Sequence, residues 1–331
     1  MLIKSVWTSK NSCDKIWLFK IIEASRPEKG FKMSIAPKYL KLLETGEFAG
    51  RVMQANLRLF KCAICPHKCG VNRKNEHGFC KTGILARVNS HFAHPGEEKI
   101  LSGTNGSGTV FFSGCNMRCA YCQNFEISQG GGGYETRPET LARMMIKLQS
   151  EGCHNINFVS PSHVIPQIVE AIFHAAKSGL KIPIVYNSGG YDSKDGLELL
   201  DGIVDIYMPD MKYGDDESAF KYSGVKDYVK YNREAVTEMH GQAGDLVVGR
   251  DGIARSGLIV RHLVLPGGLA GTENIVKFLA GNISKNASVN IMAQYWPAHK
   301  ASEYPELSDK LKNSDYEAAL KMAGKYGLAV N

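Results

Sequence analysis

The sequence lacks any run of about eighteen consecutive apolar residues, the length that a helix needs to cross a bilayer. Its first residues also lack the features of a secretory signal. Lys4, Lys10 and Lys15 are scattered around the apolar residues 17–19, and the segment has neither a continuous apolar core nor a small-residue cleavage site. We therefore expect a cytoplasmic protein that does not enter a membrane.

The first quarter of the chain has few acidic residues. Residues 1–82 contain 16 Lys and Arg against 6 Asp and Glu, whereas residues 83–331 contain 24 against 27, so the net charge of +7 comes from the first quarter alone. A basic segment can bind nucleic acid or an acidic protein. Because no known nucleic-acid motif accompanies it, we expect a solvated basic face and no nucleic-acid partner.

The length of 331 residues, with 44% hydrophobic and 22% charged composition, is enough for one large α/β domain and a small appendage. Residues 1–32 differ in composition from the rest of the chain, and we expect a poorly ordered extension there. We predict that residues 33–100 form a basic segment rich in cysteine, that residues 101–300 form the main body, and that residues 301–331 form a helical tail.

Three cysteines in the main body lack the fourth partner of a four-thiolate site. Cys115, Cys119 and Cys122 have the spacing C-x3-C-x2-C, and we call residues 115–122 the cysteine loop. The same offsets fit one stripe of a helix, where buried free cysteines pack as small hydrophobes. However, the preceding glycine and the polar residues within the run favour a loop at the end of a strand. Three thiolates can hold three irons of a cubane cluster and leave the fourth iron open for chemistry.

A second group of cysteines lies in the basic segment. Cys62, Cys65, Cys69 and Cys80 have the spacing C-x2-C-x3-C-x10-C, and we call residues 62–80 the tetracysteine segment. Clustered cysteines in a chain without a secretory signal indicate metal ligation and not disulfides, and so short a segment needs a metal because it cannot build its own apolar core. Four thiolates suit either tetrahedral zinc or a fully ligated auxiliary iron–sulfur cluster. Neither centre has an open site, so we predict a structural or electron-carrying role.

Short apolar runs alternate with helical patterns through the main body. The predicted strands cover residues 109–113, 156–159, 182–186, 204–208, 258–264 and 288–292. The predicted helices between them cover about residues 138–152, 162–177, 193–201, 215–241 and 272–281. This alternation favours an α/β fold with a parallel sheet curled into a partial barrel. Functional residues should then gather at the carboxyl ends of the strands.

The run Ser-Gly-Cys-Asn-Met-Arg-Cys-Ala-Tyr-Cys-Gln-Asn at residues 113–124, on this strand–helix body, resembles the radical SAM superfamily. The resemblance covers about residues 60–296 and extends to pyruvate formate-lyase activating enzyme-like homologues with an N-terminal cysteine-rich segment. It implies an open (β/α)6 core, a [4Fe-4S] cluster on the three thiols of the cysteine loop, and S-adenosylmethionine (S-adenosyl-L-methionine) at the open iron. It also implies that Tyr121 lies beside the adenine.

The resemblance implies roles for residues at the ends of the second and third strands. Asn157 and Ser160 lie where many members carry a Gly-Gly-Glu-Pro-like run that contacts the methionine amino group. This chain lacks those glycines and the Glu, so the two residues take that place by position only. Asn187 and Ser188, with Asp210, would supply oxygen ligands to a monovalent cation, Na⁺ or K⁺.

The fourth and fifth strands end in charged residues. The run Met-Pro-Asp-Met-Lys at residues 208–212 resembles the activating enzymes, where Asp and Lys border the S-adenosylmethionine site. Alternation along an extended backbone points Asp210 and Lys212 the same way, although a surface Asp and Lys beside a strand end is the ordinary alternative. Arg261 would contact the cofactor carboxylate, because the guanidinium fork matches carboxylate geometry.

These residues predict a radical SAM oxidoreductase, which cleaves S-adenosylmethionine reductively and uses the 5′-deoxyadenosyl radical to abstract hydrogen. The resemblance implies an electron donor such as flavodoxin or ferredoxin and, as substrate, a glycine in a glycyl-radical enzyme or another protein. Two alternatives stay open. One is radical modification of another peptide, RNA or a metabolite, and the other is a metal-stabilised, non-catalytic RNA- or protein-binding module.

Overall fold

A computed structural model describes residues 36–328 and residue 330, so the extension expected at residues 1–32 lies outside the described residues. Nine strands join into one sheet within the described part of the chain. In chain order they are β1 (Ala86–His94), β2 (Ser107–Phe112), β3 (Tyr134–Thr136), β4 (Ile156–Val159), β5 (Ile184–Ser188), β6 (Ile206–Pro209), β7 (Val247–Val248), β8 (Ala254–Leu263) and β9 (Ser288–Met292).

The sheet has the order β3-β1-β2-β4-β5-β6-β8-β7, and β9 also pairs with β8. Strands β2, β4, β5, β6, β8 and β9 run parallel to their neighbours in this set. Strands β1, β3 and β7 pair antiparallel. The six parallel strands are the six that the sequence predicts, so the partly open parallel sheet of an α/β fold is confirmed.

The sequence does not predict strand β1, because this strand lacks a continuous apolar run. Its residues, Ala-Arg-Val-Asn-Ser-His-Phe-Ala-His, are mostly half-buried or exposed, and only two of the nine are fully buried. Strands β3 and β7 are three and two residues long, too short for a periodic pattern. The sequence therefore does not reveal that the segment between β1 and β2 connects two paired strands of the sheet.

Helices occupy each of the five predicted intervals, and α8 and α9 share one of them. In chain order the α-helices of the described residues are α1 (Lys38–Thr45), α2 (Glu47–Leu57), α3 (Lys99–Ser102), α4 (Phe125–Ser128), α5 (Pro138–Ser150), α6 (Ile165–Lys177), α7 (Lys194–Leu197), α8 (Asp216–Ser223), α9 (Tyr228–Ala243), α10 (Thr272–Phe278) and α11 (Asn313–Lys325). Helix α11 lies in the region predicted as a helical tail. None of these helices is long and apolar enough to span a membrane.

The local sequence explains where the helices that flank the site begin and end. Helix α8 begins where the Asp215 side chain accepts a hydrogen bond from Ser218 N at 2.8 Å, and it ends at Gly224, whose φ of +66° is left-handed. Helix α6 carries a proline in its first turn and is apolar around most of its surface. It packs between α2 and α5, and the fully buried faces of these elements join the core beneath the sheet.

Candidate active site

The carboxyl ends of the parallel strands surround a cavity of about 330 Å³. Side chains from the cysteine loop and from the ends of β4, β5, β6, β8 and β9 line it. The predicted site residues in this lining are Cys115, Cys119, Tyr121, Cys122, Ser160, Asn187, Ser188, Asp210, Lys212 and Arg261. Asn157 is the predicted site residue of this region that the lining does not include.

Each sulfur of the cysteine loop has a hydrogen-bond partner. The pairs are Met117 N with Cys115 Sγ at 3.4 Å, Ser223 Oγ with Cys119 Sγ at 3.0 Å, and Ser128 Oγ with Cys122 Sγ at 3.2 Å. Hydrogen bonds to ligating sulfur help to set the reduction potential of an iron–sulfur cluster. The loop thus holds three thiols in fixed positions and directs them toward one cavity.

The acidity of these thiols is set mainly by their burial. Burial, with a further contribution from neighbouring Cys119, raises the pKa of Cys115 to about 12. Burial also raises the pKa of Cys119, although the Lys212 ammonium opposes the shift. Without a cation both thiols are therefore protonated at neutral pH, and a metal centre must displace these protons when it binds.

The donor set of the cysteine loop is three thiols that face one cavity. Three thiolates can each bind a separate iron of a cubane cluster and leave the fourth iron open, so this donor set fits the implied cluster.

Tyr121 lies within an aromatic group at one side of the cavity. Its ring centroid is 6.4 Å from that of Tyr213 and 5.9 Å from that of Tyr295, and the residue is 5% exposed. Burial, then the neighbouring Tyr213, raises the pKa of its hydroxyl well above the usual value. A neutral aromatic side chain within the cysteine loop is suited to contact with a planar base.

Charged side chains from the segment after β6 and from β8 meet across the cavity. Asp210 Oδ1 accepts from Arg261 Nε at 3.0 Å, and Asp210 Oδ2 accepts from Lys212 Nζ at 2.6 Å. Burial opposes ionisation of Asp210, but the attraction of Arg261 and Lys212 outweighs it and lowers the pKa of the carboxyl. Asp210 is therefore ionised, and the geometry agrees with the expectation that Asp210 and Lys212 point the same way.

The oxygens predicted to bind a monovalent cation already have partners. Asn187 Oδ1 accepts from Arg261 Nη2 at 2.7 Å, and both oxygens of Asp210 are paired with cationic side chains. Ser188 Oγ donates to Asp192 Oδ2 at 2.7 Å. A guanidinium and an ammonium thus balance the charge that a cation would balance, so this arrangement does not fit a bound Na⁺ or K⁺.

Glu97 is a cavity residue that the sequence alone does not reveal. It lies in the segment after β1, and its Oε2 accepts from Asn157 Nδ2 at 2.8 Å and from Asn187 Nδ2 at 3.2 Å. Asn157 thus contacts Glu97, and it is Glu97 that lines the cavity. Only the Pro-Gly-Glu-Glu run at residues 95–98 marks this position in the sequence, and such a run usually signals an exposed turn.

Ser160 lines the cavity in a conformation that is uncommon for a residue with a side chain. Its φ is +57°, in the left-handed region where glycine is the usual residue. Its backbone N–H donates to Asn187 O at 3.0 Å, which ties the end of β4 to β5. The position has the backbone shape that a glycine would supply at low cost, although the residue is serine.

Three thiols of the tetracysteine segment are buried together. Burial raises the pKa of Cys65 to about 12, and the nearby Cys80 and Cys62 raise it further. Cys80 Sγ accepts from the buried Arg73 Nη2 at 3.4 Å. Cys69 is exposed, and its sulfur accepts from a backbone N–H of the same segment at 3.5 Å.

The tetracysteine segment packs directly against the cysteine loop. Arg118 Nη2 donates to Phe79 O at 2.6 Å, and its guanidinium lies 4.6 Å from the centre of the Phe79 ring. A side chain at Gly114, which has a φ of +84°, would bring a Cβ atom within 2.8 Å of Cys80 O. A glycine is therefore required at this point of closest approach, both for its backbone angle and for its lack of a side chain.

Comparisons with known proteins agree with this geometry. The Radical SAM superfamily profile matches residues 109–279, about half of the chain. The uncharacterized protein MJ0674 of Methanocaldococcus jannaschii is 35% identical over 284 residues, which are 82% of this chain and 76% of that protein. The chain therefore belongs to the radical SAM superfamily, and membership implies a [4Fe-4S] cluster and S-adenosylmethionine.

Two further similarities are more distant. The pyruvate formate-lyase-activating enzyme of Clostridium pasteurianum is 24% identical over 229 residues, which are 66% of this chain and 87% of that enzyme. The crystal structure of a radical SAM methyltransferase from Sphaerobacter thermophilus is 13% identical, with a TM-score of 0.45, and the match covers 68% of this chain and 65% of that chain.

Proposed function

We propose that this radical SAM enzyme holds its [4Fe-4S] cluster on Cys115, Cys119 and Cys122 and reductively cleaves S-adenosylmethionine to start hydrogen abstraction. One observation carries the proposal. Three hydrogen-bonded thiols line the same cavity as the charged group formed by Asp210, Lys212 and Arg261. The cluster would thus lie beside a preformed polar site for the cofactor.

The protein's own residues would bind and orient the cofactor. When bound, the cluster would supply one electron for the cleavage of S-adenosylmethionine to methionine and a 5′-deoxyadenosyl radical. That radical would take a hydrogen atom from the substrate. Tyr121 offers the adenine an apolar surface, and Lys212 and Arg261 offer donors to a carboxylate.

The experiment is anaerobic turnover of the reconstituted protein with S-adenosylmethionine and dithionite. We expect 5′-deoxyadenosine and methionine in equal amounts from the wild type, and none from Cys119→Ala. Cys153→Ala removes a buried free thiol far from the loop in sequence and serves as the matched control, with products expected. Absence of both products from a wild type that carries four irons in the cysteine loop would overturn the proposal.

We propose a glycine residue of a glycyl-radical enzyme, or of another protein, as the site of hydrogen abstraction. The support is the similarity to the Clostridium pasteurianum activating enzyme, whose sequence this chain matches over 87% of its length. Flavodoxin or ferredoxin would supply the electron, because either delivers a single electron at low potential. Cytoplasmic reducing conditions suit such a reaction, since they keep thiols free for metal binding.

The probe for this substrate class is a glycine-centred peptide that carries deuterium at the glycine Cα. Mass spectrometry of the 5′-deoxyadenosine should then reveal one transferred deuterium, and the same peptide with deuterated alanine should transfer less. Formation of 5′-deoxyadenosine without deuterium from either peptide would reject glycine as the target. The cleavage reaction itself would stand in that case.

We also propose that the tetracysteine segment holds a metal centre with four thiolate ligands, either tetrahedral zinc or a second, fully ligated iron–sulfur cluster. Three of its thiols are already buried together, and Cys69 would supply the fourth sulfur from the surface. Such a centre would stabilise the segment that packs against the cysteine loop.

A further inference from the structure

Glu97 is held in the cavity by one of its two carboxylate oxygens. Oε2 accepts two amide hydrogen bonds, from Asn157 on β4 and Asn187 on β5. The side chain is 10% exposed, so its carboxylate oxygens need such partners. The two amides fix the position of the carboxylate whatever its other oxygen contacts.

The other oxygen is only weakly engaged. Glu97 Oε1 lies 3.4 Å from Arg261 Nη1 and 3.4 Å from Glu98 N, at the outer limit of a hydrogen bond. Charge-assisted hydrogen bonds usually measure about 2.7–2.9 Å. The remaining nitrogens of Arg261 are better occupied, with Nε at 3.0 Å from Asp210 and Nη2 at 2.7 Å from Asn187. One carboxylate oxygen and one guanidinium nitrogen, both on side chains that line the cavity, thus remain underused.

Asn157 independently indicates that the fold holds the Glu97 carboxylate in the cavity. Asn157 is fully buried, and its Oδ1 has no hydrogen-bond partner among the described residues. Turning the amide over would bring that oxygen against the Glu97 carboxylate, so the observed orientation favours Glu97 and leaves the oxygen unpaired. A lost partner of this kind costs about 1–3 kcal/mol. The fold thus accepts a penalty at β4 to orient a carboxylate in the cavity.

We propose that Glu97 Oε1 and Arg261 Nη1 form a binding site for an aminocarboxylate, the amino and carboxylate groups of an amino acid. The ion pair opens, Glu97 accepts an N–H of the amino group, and Arg261 donates to the carboxylate. No charge is left unpaired, because each partner exchanges one opposite charge for another. The inference rests on the proposed function, and the aminocarboxylate has two sources, the methionine end of S-adenosylmethionine or an amino-acid substrate.

The exchange is inexpensive because the two side chains do not depend on each other for their positions. Glu97 stays anchored by two amides, and Arg261 stays anchored by Asp210 and Asn187 when the 3.4 Å contact opens. Preorganisation of this kind reduces the cost of binding. In this role Glu97 replaces the Glu that the end of β4 lacks, and Asn157 is its positioning residue.

The test uses the reconstituted holoenzyme under anaerobic conditions without reductant, so that no cofactor is consumed. Equilibrium dialysis gives the affinity for S-adenosylmethionine and for its analogue in which hydrogen replaces the amino group. For Glu97→Gln we expect about tenfold to a hundredfold weaker binding of S-adenosylmethionine and unchanged binding of the analogue, if the cofactor is the source. Glu98→Gln is the matched control, since Glu98 accepts from Asn290 on β9 and should bind both like the wild type.

If an amino-acid substrate is the source, Glu97→Gln leaves the affinity for S-adenosylmethionine unchanged. In that case, dialysis of the twenty free amino acids against holoenzyme saturated with S-adenosylmethionine should detect one that binds the wild type and is lost in the variant. Glu97→Asp keeps the charge but places the carboxylate farther from the ligand, so its affinity for the same ligand should fall less. This variant controls for the possibility that Glu97→Gln binds weakly because it is misfolded.

If Glu97→Gln shows neither of these two patterns, the ion pair is only structural and the inference is overturned. The same conclusion follows if the variant binds S-adenosylmethionine and its analogue with equally reduced affinity. A wild type that binds no S-adenosylmethionine despite a full cluster would overturn the proposed function instead. The two failures are therefore distinguishable in one set of measurements.

Discussion

The two groups of cysteines differ in whether their thiols line the cavity. All seven cysteines are in the described part of the chain, yet the cavity lining includes the three of the cysteine loop and none of the tetracysteine segment. The loop has the Lys212 ammonium nearby, which opposes the rise in the pKa of Cys119. The segment has the buried Arg73 beside Cys80 instead. An open approach suits reaction at a cofactor, whereas a group of thiols outside the cavity suits support.

Further contacts join the two groups of cysteines. Besides the Arg118–Phe79 pair, His67 Nε2 lies 2.8 Å from Asn116 O, and the His67 and Phe79 rings stack at 3.9 Å. The back of the cysteine loop is therefore made by the tetracysteine segment. We infer that the second group acts on the reaction by supporting the loop, without entering the cavity.

The largest expected effect separates the two groups by metal content. Cys119→Ala should lose the irons of the cysteine loop and all formation of 5′-deoxyadenosine while it keeps the metal of the tetracysteine segment. Cys62→Ala should lose the segment's metal and keep a measurable fraction of cleavage. Iron, zinc and sulfide counts on both variants beside the wild type check this. Loss of both centres from either change would mean that the seven thiols form one shared site.

The sequence predicts the parallel strands well because each contains a short apolar run whose residues are mostly buried. Strand β5, for example, is buried along its full length. It does not predict β1, whose polar, half-exposed residues resemble a loop, and so it cannot place Glu97 near Arg261, 164 residues away. The three thiols could be predicted because they lie within eight residues of one another in the sequence. The ion-pair partners Glu97 and Arg261 are brought together only by the strand order of the folded sheet.

A smaller effect should follow from breaking the contact between the groups. In Arg118→Ala the hydrogen bonds to Phe79 O and to Cys115 O are lost, together with the contact over the Phe79 ring. Hydrogen bonds that involve a charged group contribute about 1.5–3 kcal/mol. We expect the free energy of unfolding to fall by that amount and the loop cluster to be lost faster on exposure to a chelator.

Two variants control this measurement. Arg118→Lys keeps the charge but not the fork, and should lie between the alanine variant and the wild type. Arg143→Ala removes an arginine from the exposed face of α5 and should change neither quantity. If the cluster of Arg118→Ala is retained as long as that of the wild type, the segment does not support the loop.

The smallest effect is a pH dependence of the free energy of unfolding, which arises from a histidine between the two groups of cysteines. His163 is fully buried, donates from Nε2 to Ser113 O at 3.0 Å, and accepts from Arg73 Nη1 at its backbone oxygen. Burial, then the charge of Arg73, lowers the pKa of its imidazole to about 3. The unfolded chain has a histidine pKa of about 6.5 and therefore binds more protons between these values. This contribution to stability is fully present above pH 6.5 and is lost as the pH falls.

The contribution of His163 to the free energy of unfolding should fall by about 1.4 kcal/mol between pH 7.5 and pH 5.5. The reason is that unfolding is accompanied by the uptake of about one proton at His163 once the pH is below 6.5. His163→Gln keeps an N–H donor for Ser113 but has no charge to gain, so its free energy of unfolding should fall less over the same range by that amount. Urea unfolding of both proteins at the two pH values measures the difference. Parallel pH dependence of the two proteins would mean that the junction behind the cysteine loop admits a charged imidazole, which a tightly packed support should not allow.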